Sequence, residues 1–281
     1  MLVSIVILNY NGNKTLKKCL DSIYKLDFPK KNYEVIVVDN NSKDNSLKII
    51  KKYKKVILIK SKENTGFAKG NNIGIKKAKG KYIAIFNNDL IVNKNWLKEL
   101  IPIMEKDKKI GALGGKIFYG DGHNVWFSGT KIYYGGFVDH HYLDNNIGES
   151  DYIVGAAVIF RKSALNKSGL FDEKMFLYSE DIDLCLRINE KGYKIIYYPR
   201  AISYHLIDEN RTSSYQEYYE QRNRVYLCAK HYKHPLLFIL LDLVALFPLF
   251  WLNRVIKNPK KLMFFKETIR ARIDSIKMSP K

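Results

Sequence analysis

Asn87-Asn88-Asp89 follows an unbroken apolar run, Tyr82-Ile83-Ala84-Ile85-Phe86, and precedes Leu90-Ile91-Val92. A short run of that kind reads as an interior strand of a parallel sheet. Its carboxyl end is where open α/β sheets bind ligands. A carboxylate there, with amide oxygens beside it, suits a hard divalent cation bridging a diphosphate. The plainer reading is a turn that ends the strand, since Asn and Asp are common in turns.

Other clusters carry similar chemistry. Asp39 closes the run Glu34-Val35-Ile36-Val37-Val38. With Asn9 and Tyr10 it could hold a nucleobase or ribose, although an Asx-turn leading to the next helix fits as well. Asn64-Thr65-Gly66-Phe67-Ala68-Lys69-Gly70-Asn71-Asn72 opens a helix. Glycines let backbone approach a ligand, and helix N-termini favour phosphate. Gly66, Gly70 and Gly74 are four apart, which matches neither the dinucleotide fingerprint nor the P-loop. Gly111-Ala112-Leu113-Gly114-Gly115-Lys116 is also too short for a P-loop. Ser179-Glu180-Asp181-Ile182-Asp183 puts three carboxylates in one helical turn among aromatic residues. Such acids complement a helix dipole, but one with a raised pKa would also serve as a general base. His205 follows a strand; a lone histidine is more often structural than a ligand.

The elements that must position these residues alternate. Strand patterns cover Leu2 to Leu8, Tyr33 to Val38, Val56 to Ile59 and Tyr82 to Phe86. Helical patterns cover Lys14 to Lys25, Asp44 to Tyr53, Phe67 to Ala78 and Asn95 to Lys106. This order predicts an α/β fold with a doubly wound parallel sheet. Parallel strands then bring Asn9, Asp39 and Asp89 to one sheet edge. Gly111 to Gly148 reads as a strand and an irregular hairpin or flap. Tyr152 to Arg161 reads as a strand, Ser179 caps a helix running to about Glu190, and Lys194 to Tyr198 is a further strand.

The chain has 281 residues, enough for a full core, with 46% hydrophobic and 13% aromatic content. Lys+Arg is 48 against Asp+Glu 28, a net charge of +20. That excess calls for an anionic partner: nucleic acid, an anionic membrane or a phosphorylated substrate. Cys19, Cys185 and Cys228 are too few and too far apart for a disulfide framework or a metal site, which points to a reducing compartment. The start, Met1-Leu2-Val3-Ser4-Ile5, reads directly as a strand, and no signal peptide is expected.

Taken in order, Val6-Ile7-Leu8-Asn9-Tyr10-Asn11-Gly12, Val37-Val38-Asp39-Asn40-Asn41-Ser42, Asn64-Thr65-Gly66-Phe67-Ala68, Asn87-Asn88-Asp89, Gly169-Leu170-Phe171-Asp172-Glu173, Tyr178 to Arg187 and His205 resemble an inverting glycosyltransferase of family 2, rhamnosyltransferase-like branch. The resemblance covers roughly residues 2 to 225. It implies a GT-A fold: a Rossmann-like, mostly parallel sheet flanked by helices. By position, Asp39 would contact the base with Asn9 and Tyr10 beside it. Gly66, Lys69 and Asn72 would lie along the ribose and diphosphate. Asn87 and Asn88 stand in the metal motif with Asn87 in place of its first Asp, so Asp89 would be the main ligand, with His205, for Mg²⁺ or Mn²⁺. Asp181 matches the catalytic base, with Glu180 beside it. The implied donor is a UDP- or dTDP-sugar, and the implied acceptor a hydroxyl of a glycan or lipid-linked carrier.

We expect this domain to occupy 1–212 and a helical, basic, membrane-associated extension 213–281. In the extension, Ser214 to Tyr232 reads as a polar helix and Leu236 to Leu252 as an apolar block. That block is 17 residues, short for a span of about 20, and Asp242 near its middle is costly in lipid. Lys230 and Lys233 flank it on one side, and Arg254, Lys257, Lys260 and Lys261 on the other. A peripheral or interfacial segment on anionic lipid at the cytoplasmic membrane face is therefore the expectation. A nucleic-acid-binding protein is the alternative on charge alone, but the lysines are scattered and no such motif occurs. A sugar-phosphate nucleotidyltransferase needs a Gly-rich loop after the first strand, where Asn9 to Asn13 holds one glycine. A catalytically dead binding module sits poorly with intact Asp89, Asp181 and His205.

Overall fold

The computed structural model describes residues 1–207, 213–257, 262 and 264–278. The chain forms two compact units. The first comprises Met1–Lys131, Asp139–Phe176 and Glu180–Glu209; the second comprises Ile132–Val138, Leu177–Ser179 and Asn210–Lys281. The second unit thus recruits two short internal segments besides the C-terminal region. The boundary expected after residue 212 falls at residues outside those described.

In chain order the elements begin with β1 (Val3–Asn9), α1 (Leu16–Tyr24), β2 (Tyr33–Asp39), α2 (Ser46–Ile50), β3 (Val56–Lys60) and α3 (Gly66–Lys77). There follow β4 (Tyr82–Asn87), β5 (Leu90–Val92), α4 (Trp96–Lys106), β6 (Ile110–Gly114), β7 (Ile117–Tyr119) and β8 (Val125–Phe127). β9 (Lys131–Tyr133) and β10 (Phe137–Asp139) make a two-stranded sheet. Then come β11 (Gly148–Glu149), β12 (Ala157–Arg161), α5 (Lys162–Ser168), α6 (Glu180–Glu190), β13 (Lys194–Tyr197) and β14 (Ser203–His205).

The main sheet has eight strands in the order β11-β13-β6-β12-β4-β1-β2-β3. β4, β1, β2 and β3 are mutually parallel, as the βαβα pattern requires. β12 departs from the expected parallel strand: it runs antiparallel to both β4 and β6. It is also shorter than the Tyr152 to Arg161 run, because Tyr152 and Ile153 spend their apolar side chains in a buried loop. Periodicity reports that such residues are buried, not whether their backbone pairs. A second sheet, β5-β14-β7-β8, occupies part of the region read as irregular. Its strands have three residues each, too few for alternation to register.

The four-residue glycine spacing is a packing device. A Cβ on Gly70 would lie 2.4 Å from Leu8 Cδ1, and one on Gly74 would lie 2.4 Å from Val6 Cγ1. Two bare turns of α3 therefore let the helix settle onto β1, and both sit on the face turned to the sheet.

The second unit contains α7 (Ser214–His231), capped by the Ser213 hydroxyl accepting from the Gln216 N–H. α8 (Pro235–Leu241) runs through a π-helical segment, Asp242–Leu246, into α9 (Phe247–Lys257), and α10 (Phe265–Met278) follows. No helix among the described residues is long and apolar enough to cross a membrane. Asp242 points into the unit and is 1% exposed, where Arg224 and Arg272 pair with it. Its charge is thus answered by protein, and it does not bear on lipid contact as the bare sequence suggests. Lys260 and Lys261 lie outside the described residues.

Gly74→Ala tests the packing account. A solvent-facing helical Gly→Ala change gains about 1 kcal/mol of helix propensity. Here the new methyl meets the stiff, β-branched Val6 of a central strand, and overpacking of that kind costs about 1–3 kcal/mol. We expect a lower urea midpoint with an unchanged slope; a raised midpoint would mean the helix is not seated by this contact.

Candidate active site

The ends of β1 and β2 and the turn after β4 meet in one buried polar knot. Asn9 and Asp39 are register partners at the last residues of β1 and β2. Asn9 Nδ2 donates to Asp39 Oδ1 at 2.9 Å and to Ser42 Oγ at 3.0 Å. Asn9 Oδ1 accepts from Asn88 Nδ2 at 2.9 Å. A Cβ on Gly12 would come within 2.3 Å of both Asn88 Nδ2 and Asn9 Oδ1. Next to the knot, Asn40 donates to Asn64 Oδ1 and the Gly66 carbonyl and accepts from the Thr65 N–H and hydroxyl. Asn40, Ser42, Asn64 and Gly12 had drawn no role of their own from the sequence, although all sit in its polar clusters. Tyr10 is the exposed member of the group.

Asp89 and His205 meet through strand pairing. β5 and β14 are antiparallel with His205 opposite Leu90, the residue after Asp89. His205 Nε2 lies 3.0 Å from Asp89 Oδ1, and the Asp89 carbonyl accepts from the Leu206 N–H. The Trp126 ring meets the imidazole edge to face at 4.5 Å. His205 Nδ1 is buried and finds no hydrogen-bond partner among the described residues. A carboxylate and an imidazole are thus held together where β5 and β14 pair, and two such donors suit a divalent ion of the Mg²⁺ or Mn²⁺ type. No cluster of three or more His, Cys, Asp or Glu that could hold a metal occurs among the described residues.

The acidic turn approaches the same edge through one loop. Asp181 Oδ2 accepts the Gly155 N–H at 2.8 Å, and the Ala156 carbonyl accepts the Asn87 N–H at 3.1 Å. Two consecutive residues therefore link the candidate base to the metal-motif strand. Asp183 is fully buried and paired with Arg187 at 2.7 Å. Arg187 also donates to the Ser168 and Leu170 carbonyls, which fixes the loop before Phe171. Burial raises Glu180 well above the usual carboxylate range, with the Asp181 and Asp183 charges adding to it. Burial raises Asp181 too, opposed by the Gly155 and Ile182 N–H groups. Glu180 Oε2 has no hydrogen-bond partner among the described residues. Just ahead of α6, Phe176, Tyr178 and Ser179 all hold positive φ of 62–70°. Strain of this kind costs about 1–3 kcal/mol per residue and concentrates at functional sites.

The remaining candidates are engaged with protein. Gly66 has φ +77°, and a Cβ there would touch Phe176 at 2.5 Å. The Phe67 and Ala68 N–H groups at the start of α3 donate to the Phe176 carbonyl. Asn72 is buried; its amide donates to the Phe171 carbonyl and Glu173, and its oxygen accepts the Phe171 N–H. Lys69 is exposed, 4.0 Å from Glu63. A cavity of about 430 Å³ lies at the amino end of β2 between Tyr24, Tyr33 and Tyr53 and contains none of these residues.

A family model described as "Glycosyl transferase family 2" matches residues 4–169. A poly-beta-1,6-N-acetyl-D-glucosamine synthase of Staphylococcus epidermidis is 28% identical over 211 residues, which is 74% of this chain and 50% of that protein. The chain thus spans half the length of that relative. S. aureus TarS 1-349 in complex with UDP-GlcNAc matches at TM-score 0.65 and 22% identity, covering 100% of this chain and 82% of that one. GalNAc-T7 with UDP, GalNAc and Mn²⁺ matches at TM-score 0.70 and 18% identity, covering 84% of this chain and 49% of that one. These structural likenesses establish a mixed α/β, GT-A-like fold with a large sheet flanked by helices.

The raised carboxylates predict a pH signature. The folded chain binds protons more tightly than the unfolded one at Glu180 and Asp181, so their contribution to stability is greatest at low pH. It is lost as pH rises from the unfolded carboxylate range through the raised folded values. Glu180→Gln removes the charge at nearly constant shape. Its melting temperature should exceed wild type at about pH 8 and converge with it at about pH 3, below the ordinary carboxylate range. Parallel melting curves across that range would show that Glu180 is not buried as a strained acid.

Proposed function

The chain belongs to glycosyl transferase family 2, and from that membership we propose that its first unit moves a sugar from a nucleotide-diphosphate donor to a hydroxyl of a glycan or lipid-linked acceptor, inverting the anomeric centre. The carrying observation is the link through Gly155 and Ala156, which sets Asp181 beside the strand that ends in Asn87-Asn88-Asp89. Transfer needs two things from the protein: a base for the attacking hydroxyl and a way to stabilise the departing diphosphate.

In this reading Asp181 takes the acceptor proton as the hydroxyl attacks from the face opposite the leaving group. One carboxylate suffices for such a displacement. Its raised pKa brings it nearer to the working pH, which favours a general base. Glu180, buried deeper and with no hydrogen-bond partner on Oε2 among the described residues, is pushed by burial toward the neutral acid, which would lower the local negative charge that the anionic donor must meet. Asp39 would contact the nucleoside, its carboxylate held from inside the protein by the buried Asn9, with Tyr10 exposed beside them to stack or cover the base. Asp89 and His205 would hold a divalent cation, which supplies Lewis-acid neutralisation of the diphosphate. A uridine donor is favoured over a thymidine one by the UDP and UDP-GlcNAc complexes of the structural neighbours. The synthase relative supports a role in polysaccharide or glycoconjugate synthesis. Buried free thiols at Cys19, Cys185 and Cys228 and the positive net charge support a place at the cytoplasmic face of the membrane.

A nucleotide with metal at 100 times its Kd should stabilise the chain by about 2.7 kcal/mol. Thermal shifts with UDP, dTDP and GDP, each with Mn²⁺ or Mg²⁺, test this, and Asp89→Ala should abolish the metal-dependent part. Asp181→Asn should keep the shift while transfer falls by about 10²- to 10⁴-fold. Wild-type transfer by that variant would remove Asp181 from its role, and no shift with any nucleotide would remove the site assignment.

A further inference from the structure

Leu236, Leu240, Val244, Leu252 and Ile256 share one face of the continuous helical stretch formed by α8, the π-helical segment and α9, and each is between 57% and 79% exposed. Leu237, Leu241, Leu243 and Leu249 widen that face and are also exposed. The opposite face is buried. Phe238 is 1% exposed and packs with Val225, Cys228 and Tyr232. Phe247 stacks on Phe265 of α10, and Trp251 meets the same ring at a tilt. Asp242 lies on this inner face, 2.5 Å from Arg224, with Arg272 3.2 Å away on its other side. Arg224 also donates to the Gly135 carbonyl, and Arg272 to the Thr268 carbonyl and Gln221.

We propose that this aliphatic face lies in the plane of an anionic membrane, inserting to the depth of the acyl-chain boundary without crossing. Three observations select that occupant. Every described side chain named on this face is aliphatic, whereas protein interfaces are dominated by exposed aromatic and Arg anchors. A stripe of this size on a soluble surface is a large desolvation gain left uncollected. Basic residues outnumber acidic ones across 213–281. Lys233, Lys266, Arg270 and Lys277 are exposed. Asp242 is buried, and Asp274 is held by Tyr218 and Lys277. The described part of the unit therefore carries exposed cations together with an exposed apolar face, which is the composition of an interfacial helix, buried about 5–10 Å. Crossing is opposed by the inner face: pulling the helix out of the unit would strip Asp242 from two guanidinium partners and leave a buried charge uncompensated.

This deepens the membrane placement proposed above, and its test is independent of the chemistry, since every residue used lies in the second unit. The full chain is floated with vesicles of phosphatidylcholine alone or mixed with phosphatidylglycerol. Wild type should float with the mixed vesicles, and high salt should weaken binding without abolishing it, because apolar insertion is not screened. The variant L236S/L240S/V244S should bind at least about tenfold more weakly. Its melting temperature and its nucleotide-induced shift should stay at wild-type values, which separates lipid contact from the donor site. Equal flotation of wild type and variant, or no flotation of wild type, would overturn the proposal. So would a wild-type dimer in solution that the same substitutions dissolve, since that outcome assigns the face to a second copy of the chain.

Discussion

A single buried carboxamide governs the candidate site. Asn9 has no exposed surface, so its donors and acceptor must be satisfied inside the protein. It spends them on Asp39 and Ser42 at the end of β2 and on Asn88 after β4. Three strand ends that would otherwise diverge with the sheet twist are thereby locked together. The bare Cα of Gly12 is needed for the same reason, because a methyl there would occupy the space of the amide pair. Asp89 follows Asn88 directly, so the position of the candidate metal ligand inherits its accuracy from this knot.

Carboxylates on α6 are handled in three different ways within one turn. Asp183 is neutralised by Arg187, which in turn holds two loop carbonyls. Asp181 is buried but retains two backbone N–H partners, so its anion is tolerable. Glu180 Oε2 has no hydrogen-bond partner among the described residues, and burial drives the group toward the neutral acid. Like charges this close cannot all ionise cheaply, and the environment decides which one yields. The positive-φ run from Phe176 to Ser179 delivers the chain into this turn. Within the second unit, Asn223 donates to the Leu177 and Tyr178 carbonyls.

The second unit reverses the usual placement of charge and oil. Its buried centre is an Asp between two Arg, with the Arg272 guanidinium 3.7 Å over the Phe247 ring. Burial lowers Arg272 to about 10, while Asp242 opposes that shift. Its outside is aliphatic along α8 and α9.

How much of this could be read from residue order depends on the range of the interaction. The strands β1 to β4 and their parallel pairing follow from local apolar runs spaced by helices. Once strands are parallel, their carboxyl ends share an edge, so the gathering of Asn9, Asp39 and Asp89 was legible, and so was the acidic turn before Leu184. The π-helical segment, the three-residue strands and the reversed direction of β12 were not, because each depends on partners far along the chain. Asn72 shows the difference: it sits among residues suited to a phosphate, yet its amide is taken by Phe171, 99 residues away. The glycine row was visible as a spacing, but only β1 lying beneath it says what the spacing is for. Asp242 was visible as a charge in an apolar block, and only its rotation toward Arg224 and Arg272 tells which side of the helix is oil. Sequence alone determined the chemistry on offer and the edge where it collects, since both are set by backbone periodicity. Tertiary structure decided which side chains remain available and which are used up in packing, since burial and hydrogen-bond satisfaction are settled only between segments distant in the chain.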